Sequence, residues 1–400
     1  MDISKGHVAE LDGVRGIACL SILIVHCTIG IWAPPAGSAF YAAVTTAPLL
    51  NILAAAETFL LAGVDLFFVL SGFLIGGILM DNRNAPNFFR AFWTRRIARI
   101  FPVAYVLLAS YALALFIRAH FDLPQLDLWL LQEPRPPFWS YATFTQSIPI
   151  AINGYNGPKW VGITWSLAIE EQFYLLFPFL VYFLSRRSIT VIGIAAIIAA
   201  PIFRAIVSAR YNWYAAYVLL PCRMDALVFG VLIAAIIRNQ AALAMARRAR
   251  FWLDVVAALI IVAMITQSFP ITSFVLRYSA EALLFALLIL RIFLYPPGLY
   301  HALLRARILT AAGLISYALY MYHQMISGLM HGFVFGHEPK ITNVAEFIGA
   351  LAVMGIAVAL ATLSYFYLER PIRQLGRRMA FKRSDRQEGV STAGLIAAYN

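Results

Sequence analysis

The chain has 400 residues, of which 62% are hydrophobic and only 12% charged, and its mean hydropathy is +0.78. Soluble domains carry roughly 25% charged residues, so this composition excludes a soluble globular protein and indicates a polytopic membrane protein with no large soluble domain between its apolar windows. The formal net charge of +12 does not point to nucleic acid, because the basic residues gather in alternate loops as the positive-inside rule requires.

Hydropathy punctuated by Gly, Pro and charge predicts an all-α bundle of about ten spans, taken here in chain order. The first, Leu11 to Ile31, is long enough to span and has no clear small-residue cleavage site behind it, so it is expected to be a retained helix rather than a signal peptide. It carries Arg15 near one end and His26 well inside. Their separation is about three turns, so both side chains project from nearly the same face with about 16 Å between them. Tyr41 to Phe59 reads as a surface or re-entrant helix. The second span, Leu60 to Met80, carries Asp65 and the small residues Gly72, Gly76 and Gly77, which suit either close helix packing or a slot for a thin linear chain. "FFRAFWTRRIARIFP" places Arg90, Arg95, Arg96 and Arg99 just before the third span, Ile97 to Ile117, with Arg96 and Arg99 on one helix face.

The segment from His120 to Trp160 is rich in Pro, Asn and aromatics, too polar to span, and long enough to cap the outer mouth or contact an acceptor. The fourth span, Gly162 to Leu184, brings Trp165, Ser166, Glu170 and Glu171. The fifth is Ile189 to Val207, and the sixth, Tyr217 to Ile237, holds Arg223 with Asp225 available to neutralise it. Leu253 to Phe269, Leu276 to Phe293, Leu309 to Met330 with Tyr320 and His323, and Ala345 to Leu368 complete the set. Residues 1–373 then form one membrane domain and 374–400 a tail.

An even number of spans puts both termini on one side. That side collects Lys5, Arg15, the arginines from Arg83 to Arg99, Arg186, Arg187, Arg238, Arg247, Arg248, Arg250, Arg291, Arg305, Arg307 and the basic tail. The other has only Arg118, Arg135, Lys159, Arg204, Arg210, Arg277 and Lys340, so both termini are expected in the cytoplasm. Cys19, Cys27 and Cys222 lie within apolar segments, where neither a disulfide framework nor a cysteine metal site is expected; no metal is predicted.

Ionisable residues inside spans are costly and mark functional sites by default. Counting 1.5 Å per residue from the cytoplasmic helix ends sets His26, Asp65, Glu170 or Glu171, Arg223 with Asp225, and His323 in one layer, roughly 18 to 23 Å deep. A structural ion-pair network explains such residues singly. As a set, two histidines beside carboxylates form an acid–base inventory. Arg15 with Arg95, Arg96 and Arg99 at the cytoplasmic mouth suits a phosphate-bearing ligand, because guanidinium groups bind phosphate in a bidentate fashion.

"LDGVRGIACLSILIVHC", "GVDLFFVLSGFLIGGIL", "FWTRRIARIFPVAY", "TWSLAIEEQFYLLFPFL", "CRMDALVFGVLIA", "ISYALYMYHQ" and "YFYLERPIR" together resemble the integral-membrane acyltransferase-3 family, in its motif order. The resemblance implies transfer of an acyl group, most often acetyl, from cytoplasmic acyl-CoA to a hydroxyl of a glycan or glycolipid such as O-antigen or exopolysaccharide. It carries family positions onto Arg15 and His26, onto Arg96 and Arg99, and onto Asp65, Trp165, Ser166, Glu170, Glu171, Arg223, Asp225, Ser316, Tyr317, Tyr320 and His323. Met325 stands where many relatives have proline. The implied setting is the bacterial inner membrane, with acetyl-CoA as donor, the lipid bilayer and a glycan acceptor as partners, and contact with envelope-polysaccharide biosynthesis proteins. Without the fused soluble domain of some relatives, acceptor delivery is expected to rest on the membrane part or on another protein.

The mechanism expected from these residues holds the donor's phosphates on the arginines and uses His26 as base or transient acyl carrier, oriented by Asp65, Glu170 or Glu171. Two rival readings are a transporter or flippase that binds substrate with its intramembrane charges, and a structural component of polysaccharide export.

Overall fold

Long apolar runs in a bilayer must satisfy their backbone polar groups internally, and the helix does so within one segment. In the computed structural model, which describes residues 8–28, 30, 56–57, 59–266 and 274–382, each predicted span is helical over most of its described residues. The helices are α1 (Ala9–Cys27), α2 (Gly63–Asp81), α3 (Phe88–His120), α4 (Trp165–Phe183), α5 (Arg186–Arg210), α6 (Leu220–Ile237), α7 (Arg250–Ile265), α8 (Phe274–Leu294), α9 (Arg307–Met330) and α10 (Val344–Ser364). Among the described residues, five helical runs are long and apolar enough to cross a membrane: Phe59–Asp81, Phe88–His120, Arg186–Arg210, Trp213–Ile237 and Val344–Arg377. The other segments are short, as α7 is, or diluted by charged or polar residues, as α1 is by Glu10, Asp12 and Arg15 and α9 by His323 and Gln324. The stretch from Tyr41 to Phe59 falls mostly outside the described residues, as does the tail beyond Lys382.

Two details depart from the sequence reading. Helix α3 begins at Phe88 rather than Ile97, so Arg90, Arg95, Arg96 and Arg99 lie on the helix itself. The cause is the apolar stripe of Phe88, Ala91 and Phe92, which recurs at helical spacing between the arginines and is buried. Arg204, assigned above to an outer loop, lies inside α5 and is fully buried.

Helices α1 and α9 pack closely and in parallel. Cys19 Sγ donates to the Ser316 carbonyl at 3.4 Å and His26 meets His323, both contacts spanning 297 residues of sequence, so the helices run in register. Helices α2 and α6 are locked by reciprocal glycines: a Cβ on Gly72 would lie 1.8 Å from the Leu227 carbonyl oxygen, and one on Gly230 would lie 2.0 Å from the Val69 carbonyl oxygen. The glycines of α2 therefore serve packing rather than a slot: Gly76 faces Val231 and Gly77 the Arg238 guanidinium. Gly72→Ala is expected to destabilise the protein by at least about 1–3 kcal/mol through overpacking, lowering its melting temperature in detergent. Gly355→Ala, where an added Cβ meets nothing within 4 Å, is expected to leave melting unchanged or raise it slightly; equal melting of the two variants would contradict this packing.

The segment between α3 and α4 folds over the His26 end of α9. Its short helices are Phe138–Ala142, Ser147–Asn153 and Lys159–Gly162. Leu130 packs against Gly328 of α9 closely enough that a Cβ there would lie 2.4 Å from it. At the opposite, arginine-rich end, a π-helical turn (Tyr365–Glu369) follows α10 and leads into the helix Arg370–Arg377, whose Gly376 packs on Ala98 of α3. That last helix runs across the domain boundary expected at residue 373.

Candidate active site

Side chains from α1, α2, α3, α4 and α9 enclose a cavity with about 840 Å³ of empty space, its open mouth included. Arg15, Arg96 and Arg99 line it, together with Glu170, Ser71 and Tyr174; Ser166, Ser316 and Tyr320 line it as well. Because Cys19 is level with Ser316, Arg15 lies one turn to one side of that contact and Tyr320 one turn to the other, so the cleft runs for about 12 Å along the helix pair. Its walls between are apolar, including Phe67, Leu74 and Ile100. Ser71 Oγ and Tyr174 Oη are 2.5 Å apart, and Ser166 Oγ and Tyr320 Oη 2.7 Å. Glu170 is in electrostatic range of Arg99 and Arg96. Arg373, from the helix after α10, interacts electrostatically with Arg99 and Arg15, adding a fourth arginine to this end.

About 10 Å beyond the Ser316 level, the two histidines meet. His26 Nδ1 and His323 Nε2 are 2.9 Å apart, with ring planes inclined by 12°. His323 Nδ1 lies 2.7 Å from the Tyr320 carbonyl oxygen and 3.2 Å from that of Leu319. A carbonyl only accepts, so His323 carries a proton on Nδ1, and in the neutral pair its bare Nε2 accepts from His26 Nδ1–H. That chain leaves His26 with a bare, basic Nε2. The Gln324 amide nitrogen, 3.5 Å from His26 Nδ1, is too far to compete. One residue, Tyr320, thus joins the two regions: its hydroxyl lines the cleft and its carbonyl sets the histidine tautomers.

The other intramembrane charges pair elsewhere. Arg223 Nη2 donates to both Asp65 carboxylate oxygens at 2.9 Å, and its guanidinium stacks over Tyr278, 3.8 Å from the ring centroid. Asp225 accepts from Arg204 at 2.9 Å and from Ser279 at 2.6 Å. Arg277 pairs with the buried Glu281 at 2.7 Å. Trp165 packs on Tyr217, 4.4 Å between ring centroids, against the same network.

The single polar layer expected from counting along each helix is therefore three clusters: the histidine pair, the Asp65–Arg223 and Asp225–Arg204 pairs, and Glu170 among the arginines. Asp225 does not neutralise Arg223, because residues two apart on a helix point away from each other. A second histidine occupies the position expected for the carboxylate that orients His26. Arg95 does not line the cleft; its guanidinium lies 5.5 Å from the Phe381 ring centroid, because its neighbour Arg96 takes the inward direction and adjacent helix positions diverge. Glu171 does not line it either, and one of its carboxylate oxygens is buried without a hydrogen-bond partner among the described residues. Arg204, Glu281, Ser71, Tyr174 and Arg373 were missed as candidates. The first two were detectable as charges inside predicted spans, and Arg373 sits in the last quoted motif.

Residues 8–366 match the family described as "Acyltransferase domain". The chain is 25% identical over 389 residues to the O-acetyltransferase OatA of Staphylococcus aureus, covering 93% of this chain and 58% of that protein. It is 30% identical over 189 residues to the peptidoglycan O-acetyltransferase OatA of Listeria monocytogenes, covering 45% of this chain and 25% of that one. The chain thus spans little more than half the length of the first relative. No solved structure shows a significant match. With its cleft, its register of α1 on α9 and this match over nearly its whole length, the chain belongs to the integral-membrane acyltransferase-3 family.

Proposed function

We propose that this chain is an O-acetyltransferase of a bacterial cytoplasmic membrane, with both termini in the cytoplasm, that moves an acetyl group from acetyl-CoA to a hydroxyl of an envelope glycan. The observation that carries the reading is the cleft itself: arginines from α1 and α3 line it, and Tyr320, which also lines it, orients the histidine pair. The arginines provide charge-assisted, bidentate donors for the donor's phosphates, and the apolar walls accommodate a slender uncharged arm. His26 Nε2 is then the reacting nitrogen. It accepts the acceptor hydroxyl's proton as that oxygen attacks the thioester carbonyl and the thiolate departs, and the proton passes on to the thiolate. The hydrogen bond from His26 Nδ1 to His323 strengthens as positive charge develops on the ring. The names of the relatives support acetyl as the group and peptidoglycan as the first acceptor to try.

Ester-linked acetyl groups released by mild alkali from the envelope glycans of wild-type and deletion cells test this reading. Loss of acetyl from one glycan, restored by the wild-type gene, is the expected outcome; an unchanged acetyl content across all glycans, with export impaired, favours a transport or assembly role. Within the same reading, Arg96→Gln and Arg99→Gln are each expected to raise KM for acetyl-CoA about tenfold or more, at about 1.5–3 kcal/mol per charged hydrogen bond, with kcat changed less. An unaltered KM in both variants would remove the arginines from donor binding.

A further inference from the structure

A second crevice opens at the arginine-rich end of the bundle, between the start of α5 and the end of α6. It encloses about 790 Å³ of empty space, its open side included. Arg186, Arg187 and Thr190 line one wall, and Ile189, Val231 and Leu232 line another. Arg238 also borders it but is committed to Asp81, with two contacts of 2.7 Å. Arg186 and Arg187 are exposed, and neither forms an ion pair among the described residues. The Thr190 hydroxyl donates to the Arg186 carbonyl at 3.0 Å, so the crevice combines two guanidinium donors with an aliphatic floor, which is the chemistry of an amphiphile carrying an anionic head.

Its setting is the edge of the bundle, not its core. Beyond the crevice α5 turns Val191, Ile194 and Ile198 outward, 50–59% exposed, as a lipid-facing helix does. The neighbouring helix Gln240–Arg248 buries none of its residues and ends in Arg247 and Arg248. It leads to Phe251 and Trp252, exposed by 64% and 67%, aromatics of the kind that settle at headgroup depth. The crevice is thus open to hydrocarbon along α5 and lies at headgroup level by its arginines, a geometry a soluble anion does not need.

We propose that this crevice is a binding site for one anionic phospholipid, its phosphate held by Arg186 and Arg187 and one acyl chain lying on Ile189, Val231 and Leu232. The bound lipid would tie α5 to α6, and α6 packs against α2, a wall of the cleft. The site is independent of the acyl-transfer reading.

Native mass spectrometry of the purified full chain, exchanged into detergent with equal amounts of phosphatidylglycerol and phosphatidylcholine, tests the proposal. The expected result is retention of one phosphatidylglycerol with a preference of about tenfold or more, since two arginines near the headgroup contribute about 1 kcal/mol each. Arg186→Ala with Arg187→Ala is expected to bring the preference close to parity, while the control pair Arg247→Ala with Arg248→Ala keeps it. Ala235→Phe, which fills the apolar side of the crevice and leaves the arginines in place, is expected to abolish retention. Parity in the wild type, equal loss in both arginine pairs, or undiminished retention by Ala235→Phe overturns the proposal. So does displacement of the lipid by millimolar glycerol phosphate, which would assign the site to a free phosphate ester.

Discussion

His26→Ala is expected to lower the rate of acyl transfer by about 10²–10⁴-fold, the usual span for loss of a general acid–base group, while leaving acetyl-CoA binding within a factor of about two. The separation of the two effects follows from the position of His26. It lies about three turns from Arg15 on one continuous helix, and it does not line the cleft that holds the arginines. His323→Ala is expected to fall short of that loss, because it removes the acceptor that fixes the His26 tautomer but not the reacting nitrogen. Transfer rates of the two variants at saturating donor, with donor affinity measured by calorimetry, check the order. An His26→Ala enzyme as fast as wild type removes the pair from the chemistry.

The largest expected effect on stability is at the other charge cluster. Asp65 and Arg223 are 2% and 1% exposed and hold each other with two hydrogen bonds. Arg223→Met leaves the Asp65 carboxylate buried with no cation in contact, and breaking a buried pair in this way costs about 3–5 kcal/mol. The same argument predicts that Asp65→Leu combined with Arg223→Met recovers most of the loss, since replacing both members by apolar groups removes the uncompensated charge. Thermal unfolding in detergent of the two single variants and the double variant forms the cycle. A double variant no more stable than either single one would show that these residues do not stabilise the fold by pairing with each other.

Hydropathy made all the long helices legible, because backbone satisfaction in hydrocarbon leaves little choice of structure. It failed at α3, where buried aromatics between arginines carried the helix back to Phe88, a feature that a window average dilutes with charge. His26 and His323 were both visible as histidines inside apolar runs, but their contact spans 297 residues and no local spacing encodes it. The pairing of Arg223 was misread where local geometry did speak: Asp225 is two residues away, on a different face, and the true partner comes from α2. Arg204 and Glu281 were equally visible inside spans and belonged with the other intramembrane charges. Levels counted along separate helices placed Glu170 with the histidines; that count assumes that every helix starts at one common plane and gives no side-chain direction, and Glu170 on α4 lines the cleft with Arg15, Arg96 and Arg99 instead.

Transfer of radiolabelled acetyl in reconstituted vesicles tests the central claim most directly. The full chain is inserted in liposomes with acetyl-CoA on the side of its termini and a peptidoglycan fragment on the other, and both ester-linked label and free thiol are followed. Acyl transfer predicts one free CoA thiol for each acetyl ester formed on the glycan, with both dependent on His26. Movement of the glycan across the bilayer without thiol release or ester formation would contradict it and return the intramembrane charges to a transport role.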